Sequence, residues 1–188
     1  MRRIFSIFCG AIMISGAAFA DADRNAFTGN YKNQIAFNVG QGIDSGIIVP
    51  APARFVPFYL FHMQYSQPTT FFGLSARQSL NIAQTIGMGE KYGWEWDKYT
   101  IPMIFLSGDV AIAEYGDFYF GVGAGVGFQA QQNERLGAKL LFQFKITGGW
   151  HISDKWAMEL FMHHFSNGNT APENHSYAFY GLGVTYSF

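Results

Sequence analysis

The chain has 188 residues, and its 12 Lys and Arg nearly balance its 13 Asp and Glu, for a formal net charge of −1 at pH 7. Only 13% of the residues are charged and 18% are aromatic, whereas a soluble domain carries about 25% charged residues. Because the sequence has no basic patch, nucleic acid is not expected as a partner. The composition favours a protein that exposes apolar surface.

The first twenty residues have the organisation of a secretory signal peptide. Two arginines are followed by an apolar run and by the small-x-small pattern Ala18-Phe19-Ala20, which signal peptidase reads. We therefore expect residues 1–20 to be removed and residues 21–188 to form one domain. The single cysteine, Cys9, lies in the removed segment, so no disulfide or cysteine metal site is expected in the mature chain.

After residue 20 the sequence alternates with the period of two that is typical of β-strands. The alternation is clearest from Phe118 to Phe128, where the even positions are apolar and most odd positions are glycine. No stretch there reaches the roughly 20 apolar residues of a membrane-spanning helix. Pro102 or Ser107-Gly108 is expected to mark a bulge in the fourth strand. The eight predicted strands cover residues 33–42, 54–65, 71–86, 99–113, 118–128, 137–150, 155–166 and 176–188.

The predicted connections alternate in length, with short ones at residues 66–70, 114–117 and 151–154 and longer, more polar ones between them. Short periplasmic turns and long outer loops are the habit of outer-membrane barrels. The chain also ends in an alternating segment with a terminal Phe188, which resembles the signal by which such barrels are recognised for assembly. The sequence thus predicts an all-β fold, an eight-stranded antiparallel transmembrane β-barrel in the outer membrane of a Gram-negative cell.

A soluble β-sandwich or lipocalin-like barrel would show the same alternation with its faces reversed. The aromatic content, the terminal Phe188, and Trp150 and Trp156 on either side of a short turn favour the membrane, because aromatic residues are enriched at membrane interfaces.

The seventh predicted strand carries the candidate chemistry. His164 and Ser166 share one face, because residues two apart on a strand point the same way, and they lie at the outer end of the strand. A serine hydroxyl becomes a nucleophile when a base within about 3 Å takes its proton, and histidine has a suitable pKa. The Asn167 side chain and the backbone N–H groups of Asn167 and Gly168 are the nearest donors for an oxyanion. The ordinary alternative is a hydrogen-bonded turn at the edge of a loop.

The run His164-Phe165-Ser166-Asn167 resembles the His-x-Ser-Asn signature of the PagL-type lipid A 3-O-deacylases, at the top of the penultimate strand as in that family. The glycine-alternating strand around Gly123 and the strand with Phe142-Gln143-Phe144 resemble the family's middle region. The resemblance implies an eight-stranded barrel that hydrolyses the ester-linked acyl chain at the 3 position of lipid A. It implies Ser166 as the nucleophile, His164 as the base and Asn167 as a contributor to the oxyanion hole.

The likeness fails at the acid that orients the histidine. The family has a Glu about a dozen residues after the serine, where this chain reads Asn174-His175-Ser176-Tyr177-Ala178. Glu173, in the preceding loop, takes that place if the loop folds back over His164. A backbone carbonyl or Asn174 is the alternative.

Two other functions stay open. One is a non-catalytic structural, adhesive or small-channel barrel, and the other is a barrel acyltransferase, which the outward parity of the pair disfavours. His163 faces inward and is expected to join Glu159 in a polar network. No cofactor or metal is expected, the expected partners are lipid A within lipopolysaccharide and the outer membrane, and a homodimer is left open.

Overall fold

The computed structural model describes residues 24–44 and 54–188, so the predicted signal peptide lies outside the described residues. Eight antiparallel strands close into one barrel, which confirms the predicted fold. In chain order the strands are β1 (Gln34–Ile43), β2 (Phe55–Phe71), β3 (Leu74–Gly87), β4 (Glu90–Lys91), β5 (Trp94–Glu95), β6 (Pro102–Tyr115), β7 (Phe118–Gln129), β8 (Leu140–His151), β9 (Trp156–Ser166) and β10 (Tyr177–Ser187). The short β4 and β5 pair only with each other, and a 3-10 helix (Trp96–Tyr99) follows them. β10 pairs with β1 and closes the barrel.

The alternating sequence sets which side chains face out. Along β9, Met158 and Leu160 are exposed, whereas Ala157, Glu159 and Phe161 are buried. Trp150 and Trp156 are likewise exposed on either side of their turn, as predicted. An apolar exterior with a polar interior is the arrangement of a barrel that faces lipid, so the soluble alternative does not fit.

No helix among the described residues is long and apolar enough to cross a membrane.

Two details of the strands differ from the sequence prediction. The turn expected at residues 66–70 is wrong, because β2 continues to Phe71, which pairs with Leu74 across the two-residue turn Phe72-Gly73. Both turn residues have positive φ, 51° and 78°, which suits a tight hairpin. Beyond Ser66, β2 has no β1 residue opposite it, and on such an edge the proline at position 68 is tolerated.

The bulge predicted in the fourth strand is also misplaced. The register of β6 against β7 shifts between Ala111 and Ala113, whereas Ser107 and Gly108 pair regularly with Gly125 and Ala124. The bulge therefore lies near the periplasmic end of β6.

Four charged side chains meet inside the barrel. Arg77 donates through Nε to Asp109 Oδ2 at 2.7 Å and through Nη1 to Glu159 Oε1 at 2.7 Å. Lys145 Nζ lies 3.4 Å from Glu159 Oε2 and 3.7 Å from Asp109 Oδ2. A Cβ on Gly123 would overlap the Asp109 carboxylate, so β7 has a glycine where this side chain reaches across. Two positive charges thus balance two negative ones, which buried ions require.

Side chains also close the two ends of the barrel. At the periplasmic end, Phe27 is fully buried, with its ring centroid 4.4 Å from the Arg77 guanidinium carbon. At the outer end, buried aromatic residues pack together in what we call the outer aromatic group. Its members are Phe58, Trp96, Tyr99, Phe165, Tyr177 and Phe179. A filled interior is typical of an eight-stranded barrel, and the outer aromatic group supports the loops beside His164 and Ser166.

Candidate active site

His164 and Ser166 lie on the outward face of β9 at its outer end, and both are partly buried. On β8, Phe144 is opposite His164 and Phe142 is opposite Ser166. On the other side, Ala178 of β10 is opposite His164. Farther down the same face Leu160 is 65% exposed. The pair is therefore flanked by apolar wall and opens sideways, toward the position of the lipid.

The two nitrogens of the His164 ring differ in their surroundings. Nδ1 is buried and has no hydrogen-bond partner among the described residues. Nε2 does not share this state of being both buried and without a partner. No hydrogen bond joins His164 to Ser166 within the described ranges. Catalytic hydrogen bonds often tighten only when substrate is bound, so this geometry is compatible with a serine–histidine pair at rest.

Asn167 is fully buried, and its hydrogen bonds hold the loop that follows Ser166. Its backbone N–H donates to Asn174 Oδ1 at 3.1 Å, and its Oδ1 accepts from the Asn169 N–H at 2.7 Å. Its Nδ2 donates to the carbonyl oxygens of Leu136, Ala171 and Glu173, at 2.6, 3.3 and 2.6 Å. The donors of Asn167 are thus engaged within the protein, and an oxyanion contact from this residue would have to replace one of these bonds.

Gly168 offers the donor that Asn167 does not. Its N–H has no partner among the described atoms, and the residue is exposed. The backbone there has φ 62°, and a Cβ would come within 2.6 Å of the Phe142 ring. Both the left-handed backbone and the close ring favour glycine.

Glu173 does not contact His164. The residue is exposed, and its carboxylate makes no hydrogen bond or ion pair with the described residues. One carboxylate oxygen lies 3.0 Å from the position that a Cβ of Gly137 would occupy, in the loop between β7 and β8. To orient His164, the Glu173 side chain has to leave its position beside Gly137.

His163 is buried in the barrel, but the polar network predicted for it is wrong. Its ring centroid lies 5.1 Å from that of His62 and 4.9 Å from that of Phe161, and neither ring nitrogen has a hydrogen-bond partner among the described residues. Glu159 instead bonds to the charged residues described above and to the Tyr119 hydroxyl at 2.7 Å. Within the described ranges, no three His, Cys, Asp or Glu side chains are grouped so that they could hold a metal ion.

Comparison with known proteins gives a family and a set of similar folds. The model of the family described as Lipid A 3-O-deacylase (PagL) matches residues 59–187. The crystal structure of the outer membrane enzyme PagL is similar with a TM-score of 0.60 at 14% identity, over 82% of this chain and 99% of that chain. Neisserial surface protein A gives 0.54 at 5% identity, over 83% and 97% of the two chains. A de novo designed transmembrane β-barrel gives 0.53 at 9% identity, over 84% and 95%.

At these identities the structural matches establish the fold alone. No sequence among the curated proteins matches the chain.

Proposed function

We propose that this chain, which belongs to the lipid A 3-O-deacylase (PagL) family, is an outer-membrane esterase that removes the ester-linked acyl chain from the 3 position of lipid A. The observation that carries the proposal is the outward-facing pair of His164 and Ser166 at the outer end of β9, flanked by apolar wall. An ester in the outer leaflet reaches such a pair directly from the membrane, without entering the filled barrel.

In the proposed reaction, Ser166 Oγ attacks the ester carbonyl while His164 Nε2 takes the serine proton. The resulting oxyanion accepts a hydrogen bond from the unpartnered Gly168 N–H. When the tetrahedral intermediate collapses, the C–O bond to the sugar breaks and His164 returns the proton to the sugar oxygen. Water, deprotonated by His164, then attacks the acyl-serine; the acyl–Oγ bond breaks, the fatty acid leaves, and His164 returns the proton to Ser166 Oγ.

We assign the orienting role to Glu173, on two complementary observations. His164 Nδ1 is buried without a partner, and Glu173 is the one carboxylate between Ser166 and β10. Leaving a buried polar atom unsatisfied costs about 1–3 kcal/mol. A hydrogen bond from Nδ1–H to Glu173 would recover that energy and hold the imidazole in the tautomer that has Nε2 free to act as a base.

The test is mass spectrometry of lipid A from Gram-negative cells that express the chain, beside Ser166→Ala and His164→Ala. Ser153→Ala, in a periplasmic turn, is the matched control, and every variant must reach the outer membrane. We expect the unaltered chain and the control to remove one ester-linked acyl chain, and the two site variants to leave lipid A intact. If lipid A stays intact with the unaltered chain, in detergent as well as in membranes, the proposal fails.

A non-catalytic barrel is the second candidate, and one observation favours it. Ser166, His164 and Glu173 are not joined by hydrogen bonds in this structure. That candidate predicts that lipid A stays intact in every sample of the same experiment.

A further inference from the structure

Arg135, in the loop between β7 and β8, contacts all three of the other outer loops. Its side chain is 4% exposed and lies 3.7 Å from the Asp44 carboxylate, which follows β1. Its guanidinium carbon lies 4.3 Å and 4.7 Å from the ring centroids of Trp94 and Trp96, in the connection between β3 and β6. Its Nη2 donates to the carbonyl oxygens of His175 and Ser176, just before β10, at 2.9 and 3.1 Å.

These contacts, together with those of the next residue, hold the loop between β9 and β10 at both ends. The His175 N–H donates back to the Arg135 carbonyl at 2.7 Å, which fixes the end of the loop. The Leu136 carbonyl accepts from Asn167 Nδ2 at 2.6 Å, which fixes its start, directly after Ser166. Two consecutive residues, Arg135 and Leu136, therefore clamp the segment that carries Gly168 and Glu173.

The backbone beside this clamp is under strain. Ser176 has φ 41°, a left-handed conformation that costs a non-glycine residue about 1 kcal/mol or more. The Ser176 carbonyl is one of the two that Arg135 binds. The guanidinium thus helps to hold a backbone conformation that the chain would otherwise leave.

We propose that Arg135 is a positioning residue, which fixes the loop between β9 and β10 at its ends and so holds Gly168 next to Ser166. The inference rests on the proposed function and deepens it. Arginine suits this place because its Nη2 donates to both carbonyl oxygens while its planar guanidinium lies on the Trp94 and Trp96 rings. Burial lowers the pKa of the Arg135 guanidinium and the Asp44 carboxylate opposes that shift, but the group stays charged because arginine does not deprotonate in proteins.

The experiment compares Arg135→Met and Arg135→Lys with the control Arg54→Lys, which alters an exposed arginine on another outer loop, 5.5 Å from the Tyr92 ring centroid. The purified proteins are assayed with lipid A in detergent, with kcat and KM measured separately. Heat-modifiable gel mobility reports whether the barrel is intact. We expect both Arg135 variants to lower kcat by about 10-fold or more, since a small misplacement of reacting groups has effects of that size, with KM nearly unchanged. The Arg54 control should match the unaltered chain.

If Arg135→Met does not assemble into a barrel, Arg135→Lys still tests the inference. Lysine keeps the charge near Asp44 but lacks the planar guanidinium that packs on the Trp94 and Trp96 rings, so the barrel should stay intact while kcat falls. Hydrogen exchange at the amides of Asn169, Thr170 and His175 should become faster in the same variants. Intact Arg135→Lys protein with unchanged kcat and unchanged exchange would overturn this inference alone. An unaltered chain that cleaves no lipid A would instead overturn the proposed function, and this inference with it.

Discussion

Replacing Arg77 tests whether the charged cluster inside the barrel stabilises the fold. In Arg77→Met, Lys145 alone remains to balance Glu159 and Asp109, so one buried negative charge is left uncompensated. Removing one partner of a buried ion pair costs about 3–5 kcal/mol. We expect a loss of that size in the free energy of unfolding. The matched control is Arg24→Gln, whose ion pair with Asp117 is exposed and 3.6 Å long, and we expect it to cost at most about 1 kcal/mol.

The assay is urea-induced unfolding in lipid vesicles, followed by tryptophan fluorescence. A second variant tests the charge argument itself. Arg77→Met combined with Glu159→Gln leaves one Lys145–Asp109 pair, so its charge is balanced again. We expect the double variant to lose about 2 kcal/mol less than the sum of the two single losses, within the range of coupled neighbours. The reasoning is refuted if Arg77→Met costs no more than Arg24→Gln, or if the two changes simply add.

Two further predictions concern the site and the wall. Glu173→Gln should lower kcat for lipid A by about 100-fold, because a general base loses efficiency without its orienting group. Glu95→Gln, which removes an exposed carboxylate paired with Lys98, should leave kcat unchanged. Equal kcat in the two variants would exclude Glu173 as the orienting acid. Leu160→Arg should destabilise the barrel in vesicles by about 2–4 kcal/mol if its 65% exposed side chain faces the lipid core. Ile152→Arg, in a periplasmic turn, should cost under about 1 kcal/mol, and an equal loss in both would contradict the assigned depth.

The period-two pattern predicted the strands and placed His164 and Ser166 on one face. The aromatic content, Phe188, and the pair of Trp150 and Trp156 made that face the outer face of a membrane barrel. Parity alone decides which side chains share a face, so a strand such as β9 can be interpreted without knowing its neighbours. The length of the hairpin between β2 and β3 could not be predicted in this way. It depends on where β1 begins: Gln34, its first residue, lies opposite Ser66, so the polar stretch before Phe71 continues as an edge strand paired with β3 alone.

The loop geometry around the site depends on partners that are distant in the sequence. Arg135 and the His175 carbonyl are 40 residues apart, and Asn167 and the Leu136 carbonyl are 31 apart. Neither pair leaves a local pattern, so the sequence did not show that Asn167 is engaged in holding its loop. The charged cluster left a weaker signal, because the inward parity of Lys145 and Glu159 could have indicated that they meet inside the barrel.

The central claim is that Ser166 is a nucleophile activated by His164. The most direct measurement is the intact mass of the folded protein after reaction with a fluorophosphonate, which phosphonylates activated serines with loss of fluoride. The account predicts one adduct on the unaltered chain, mapped to Ser166 by peptide analysis. It also predicts none on Ser166→Ala and a much slower reaction for His164→Ala. An unaltered chain that gains no adduct, or gains one at another residue, would contradict the account.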